Sequence, residues 1–154
     1  MPATPIADKN RPFLEKVQQK ADLPDVYDAR DIAIVVFRTM RDMMPNESAD
    51  RVESELRVEA LPTDDASLEG EIADLWKDDN PVVRFISRIR QPLKIDAESF
   101  VRRVGSEGGL PKGVDARDAI QAVFSATKDE LTPDRQREVS TFLPDIIRSM
   151  WERA

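Results

Sequence analysis

Six cations are the residues best suited to meet a ligand: Arg84, Arg88, Arg90, Lys94, Arg102 and Arg103. Between Val82 and Arg103 only Asp96 and Glu98 oppose them. A basic run of this kind attracts an acidic protein surface, a phosphate-bearing small molecule or an anionic membrane. Arg84 and Arg88, four residues apart, fall on one face of a helix. The same charges also have a candidate partner inside the chain. From Asp42 to Asp79 thirteen acidic residues stand against Arg51, Arg57 and Lys77. Charged helix faces are more often solvated or paired within their own molecule than built for a ligand. The sequence leaves open whether the basic stretch is free or paired with the acidic stretch 64–79.

Other chemistries are limited by what the chain lacks. It has no cysteine and no histidine, so tetrahedral zinc sites, thiol nucleophiles and serine–histidine–aspartate triads have no residues to build them. Carboxylate sites for calcium or magnesium remain chemically open, but no alternating acidic loop marks one. With 30 acidic residues a catalytic carboxylate pair is conceivable, and nothing selects one. The expectation is a non-enzymatic protein with no catalytic residue, no cofactor and no metal.

Asp28-Ala29-Arg30-Asp31 and Asp115-Ala116-Arg117-Asp118 occur as a matched pair. They read better as helix starts than as ion sites: the first aspartate caps amides and the second suits the positive end of the helix dipole. Trp76 and Trp151 sit in equivalent apolar stripes, which favours core over exposed anchor. Gly105, Gly108 and Gly109 follow a helix rather than a strand and lack the lysine-serine of a phosphate loop. They read as a helix stop.

The elements that must position these residues are helices. The chain is 40% hydrophobic and 34% charged, with few aromatics, which suits helices better than aromatic-rich sheets. At an offset of 87 the sequence matches itself. Phe13 falls on Phe100, Val17 on Val104, Leu23-Pro24 on Leu110-Pro111, Val36-Phe37 on Val123-Phe124, Asp42 on Asp129 and Val52 on Val139. Later the phase changes, so that Leu61-Pro62 matches Leu143-Pro144 and Trp76 matches Trp151. A duplicated helical unit explains apolar, capping and turn positions agreeing together.

The expected architecture is all-α. Residues 1–10 form a flexible N-terminal tail, 11–79 a first helical module, 80–95 a connector helix and linker, and 96–154 a second module. Each module reads as a bundle of about four helices. The first helices are expected over Arg11–Ala21 and Ala97–Glu107, the second after Asp28 and Asp115, and the third near Ala49 and at Pro133. The fourth carry Leu68, Ile72, Leu75 and Trp76, or Ile146, Ile147, Met150 and Trp151. Asn80-Pro81 opens the connector and Pro92 closes it.

The longest apolar run, Ile32 to Phe37, is far shorter than the roughly 20 residues of a spanning helix. No basic-then-apolar leader stands at Met1–Asn10. A cytoplasmic location without a transmembrane segment is the expectation. The net charge of -7 disfavours nucleic acid, whose binding depends on neutralised phosphates.

Phe100-Val101-Arg102-Arg103-Val104, Leu110-Pro111-Lys112-Gly113, Ala122-Val123-Phe124 and Phe142-Leu143-Pro144-Asp145 with Trp151 resemble the bacterial family called domain of unknown function 2267 (DUF2267). The first half carries the same marks at Phe13-Leu14, Val36-Phe37, Leu61-Pro62 and Leu75-Trp76, with extra residues near its end. The resemblance covers nearly everything after residue 10. It implies an all-helical fold, often in tandem copies, and brings no catalytic residue, cofactor or substrate. The function expected from the residues is protein–protein interaction, as a scaffold or regulatory module, with an unidentified protein partner and an open oligomeric state. The second reading is a binder of a small phosphorylated ligand through the basic connector.

Overall fold

The computed structural model describes residues 11–58 and 94–154, all in helices and short connections with no strand among them. Seven helices follow in chain order: α1 (Arg11–Ala21), α2 (Val26–Met43), α3 (Asn46–Val58), α4 (Ala97–Glu107), α5 (Ala116–Lys128), α6 (Pro133–Ser140) and α7 (Asp145–Arg153). The all-helical class therefore holds. The tail 1–10, the fourth helix expected around Leu68–Trp76 and the connector from residue 80 to 93 lie outside the described residues.

Local chemistry sets the helix ends. Asp96 accepts from the Ser99 amide at 2.7 Å and Asp115 from the Arg117 amide at 2.7 Å. Thr132 accepts from the Arg135 amide, with Pro133 at the first helical position, where a missing N–H costs nothing. α2 departs from the expected start after Asp28. Asp25 caps it by accepting from the Asp28 amide at 3.0 Å, and the helix opens at Val26. The residue aligned with Asp25 is Lys112, which has no acceptor to offer, so α5 starts one turn later on Asp115. Asp28 instead lies in the first turn. Burial, with Asp25 and Asp31 nearby, pushes its carboxyl above the ordinary range. α3 likewise starts earlier than Ala49, at Asn46 just after Pro45.

At the end of α1 the Leu23 amide donates to the Gln18 carbonyl at 2.9 Å and the Asp22 amide to the Gln19 carbonyl at 3.3 Å. Asp22 is left-handed, with φ 56°. This is the paired-bond C-terminal motif in which a buried apolar residue, here Leu23, closes over the last turn. The aligned position after α4 is Gly109, also left-handed at φ 65°.

One continuous core unites both ends of the described chain. Phe13, Leu14, Val17 and Ala21 form the buried stripe of α1, while Phe100 and Val104 do the same for α4. α2 and α5 are central and buried on more than one side, through Ile32, Val36, Phe37 and Met40 and through Ile120, Val123, Phe124 and Ala126. Their buried hydroxyls are satisfied within the helix, Thr39 donating to the Val35 carbonyl and Thr127 to that of Val123. α1 packs most extensively on α5 and also on α2; α4 packs on both α2 and α5, and α3 meets α6. Trp151, 1% exposed, stacks edge-on to Phe124 with centroids 5.1 Å apart, and its indole N–H donates to the Gln136 carbonyl. It is a core residue, as its stripe implies. Ile146, expected in that stripe, is 51% exposed; Ile147 takes the inward place.

Candidate functional site

Of the six cations, Arg84, Arg88 and Arg90 lie outside the described residues. The other three do not form one patch. Arg103 reaches across to Asp42 at 2.7 Å, with Glu107 3.6 Å from its other side. It is therefore committed inside the molecule. Arg102 projects into solvent and pairs loosely along α4 with Glu98 at 3.1 Å. Lys94 is exposed and makes no hydrogen bond or ion pair with a described residue.

Lys94 stands at the rim of an open cleft of about 590 Å³. The cleft lies where the chain enters α4, between the end of α2 and the α6–α7 turn. Met43, Ile95, Phe142, Leu143 and Pro144 supply its apolar surface, and Asp96, Thr141 and Arg148 its other polar groups. Those three are occupied locally. Asp96 is held ionised below the usual carboxylate range by the Ser99 amide it caps. Thr141 donates to the Glu138 carbonyl at 2.7 Å. Arg148 donates from Nε to the Ser140 carbonyl at 2.9 Å, tying off the end of α6. The cleft thus offers apolar contact area beside one uncommitted cation. Among the described residues no group of three or more carboxylates is arranged to hold a metal ion, and no helix is long and apolar enough to cross a membrane.

The strongest polar cluster is elsewhere, and the sequence reading missed it. Glu138 on α6 accepts from Arg51 Nε at 3.1 and 3.0 Å, from Ser48 Oγ at 3.1 Å and from Arg135 Nη1 at 2.6 Å. Arg51 Nη2 also donates to it. The Arg51 bonds, aided by those from Arg135 and Ser48, outweigh burial and bring the Glu138 carboxyl down to about 2. The same contact raises Arg51 above its ordinary value. A signal was present in the sequence: the offset that aligns Val52 with Val139 also places Arg51 on Glu138, opposite charges at matched positions.

A family model described as "Uncharacterized conserved protein (DUF2267)" matches residues 10–150. No curated protein matches the chain.

Proposed function

The chain belongs to the DUF2267 family, and from that premise we propose that it is a non-enzymatic interaction module of two related helical units, docking an acidic segment of another protein. The observation that carries this reading is the cleft beside Lys94. Its surface is mainly apolar, its free cation lies at the rim, and the basic stretch holding Arg84, Arg88 and Arg90 runs directly into it along the chain. An apolar floor with a basic rim suits a peptide carrying both apolar and acidic side chains. A phosphorylated metabolite is the second reading, favoured by the concentration of arginine just before the cleft. Recognition of phosphate usually calls on several convergent donors, whereas Arg148 is already engaged by carbonyls.

The absence of cysteine makes a site-specific test simple. Lys94→Cys carrying a photo-crosslinker is expected to capture a discrete acidic protein in native lysate. Capture is expected to fail when Arg84, Arg88 and Arg90 are changed to Glu or Phe142 to Ser, with helicity unchanged by circular dichroism. Equal capture by all variants would refute this placement. A thermal shift with phosphorylated metabolites that disappears in the triple Glu variant would favour the second reading.

A further inference from the structure

We infer that the two halves of the chain pack as an isologous pair about an approximate two-fold axis passing between Arg51 and Glu138, and that the surface joining them is a self-recognition surface whose natural fit is another copy of the second half. The inference rests on the chain being a duplicated unit, the reading proposed above, and concerns how its copies meet.

Three observations support the axis. Lys16 bonds Asp129 at 3.2 Å and Arg103 bonds Asp42 at 2.7 Å. Shifted by the repeat offset, Lys16 becomes Arg103 and Asp42 becomes Asp129, so each ion pair is the image of the other with the halves exchanged. Reciprocity of this kind defines an isologous contact. The helix pairs behave in the same way: α1 on α5 is mirrored by α4 on α2, while α3 meets its own equivalent, α6. Finally, Arg51 and Glu138, 87 positions apart, touch. A residue can meet its own equivalent only beside the axis. Within each half the aromatic pairs also agree, Phe13 and Phe37 at 6.1 Å and Phe100 and Phe124 at 6.2 Å.

The charges at the axis set which halves can pair. Ser48 reaches across to Glu138 at 3.1 Å, and its equivalent is Arg135. Two second halves brought together would place Arg135 of each against Glu138 of the other. Two first halves would bring Arg51 against Arg51 with only Ser48 beside it. Like charges directly opposed disfavour that pairing. The surface therefore admits first with second, and second with second, and rejects first with first.

Two measurements test this. In the uncut protein, Arg51→Glu and Glu138→Arg are each expected to lower Tm by about 3 °C or more, and the pair together to recover to within about 1 °C of wild type. Additive losses would overturn the axis. Separately, a protease site placed between Asp64 and Asp65 allows the folded protein to be cut and examined by native mass spectrometry. The pieces are expected to remain together one to one. After mixing with an isotopically labelled cut sample, pairs of second halves are expected to appear and pairs of first halves to be absent, with Glu138→Arg removing the former. Separation on cutting, first-half pairs as abundant as second-half pairs, or no second-half pairs would each overturn the self-recognition surface. Neither measurement depends on the cleft at Lys94, so its failure would be distinguishable from theirs.

Discussion

Protonation of Glu138 removes the acceptor on which Arg51, Arg135 and Ser48 converge. Its carboxyl is depressed from 4.5 to about 2, so the folded state binds this proton less readily than the unfolded chain. The stabilisation is then fully present above the unfolded value and is lost as pH falls through the folded one. Thermal melts of wild type and Glu138→Gln are expected to differ by a constant margin near neutrality, and that margin to close between about 4.5 and about 2. At this scale the sequence was readable where a residue's task is local. The caps at Asp96, Asp115 and Thr132 followed from residue type and position, and the Trp151 core role followed from its stripe. The Glu138 cluster was harder to see, because its partners come from helices distant in the chain. Arg103, grouped with a ligand patch on charge alone, meets Asp42 for the same reason.

Among the elements, the ends of α1 and α4 offer a matched comparison. Both chains leave the helix through a left-handed residue, Asp22 in one and Gly109 in the other. A side chain costs about 1–2 kcal/mol in that conformation, somewhat less for aspartate, which tolerates it better than most residues. Asp22→Gly is expected to gain stability by up to about 1 kcal/mol, and Gly109→Ala to lose about 1 kcal/mol, read from urea unfolding midpoints. The helical stripes of α1, α4 and α7 were legible because each buries one face. The start of α2 was not, since Asp25 and Asp28 both had the side chain of a cap. The winner was the one that let the helix gain another turn before Ile32 entered the core.

Across the whole molecule, the two related ion pairs differ in setting. Asp42 and Arg103 are 13% and 31% exposed, whereas Asp129 and Lys16 are 56% and 43% exposed. An exposed pair contributes about 0–1 kcal/mol, while removing one partner of a more buried pair leaves a charge poorly solvated. Asp42→Asn is expected to lower Tm clearly more than Asp129→Asn in parallel scanning calorimetry. The repeat itself was visible in the sequence. How its copies meet was not, because periodicity identifies which face of a helix is apolar and is silent on which helix covers it.

The packing of α1 on α5 also imposes an order in time. During synthesis α1 emerges about 95 residues ahead of α5, which at roughly 5–20 residues per second is on the order of 5–20 s. Throughout that interval Phe13, Leu14 and Val17 have only α2 to rest against, and their remaining cover does not yet exist. Nascent chains stalled with residue 58 just clear of the ribosome are expected to be digested rapidly by added protease. Chains stalled after residue 154 has cleared are expected to resist it. The first half is thus the part of the molecule for which a chaperone would have work to do, and only until α5 arrives.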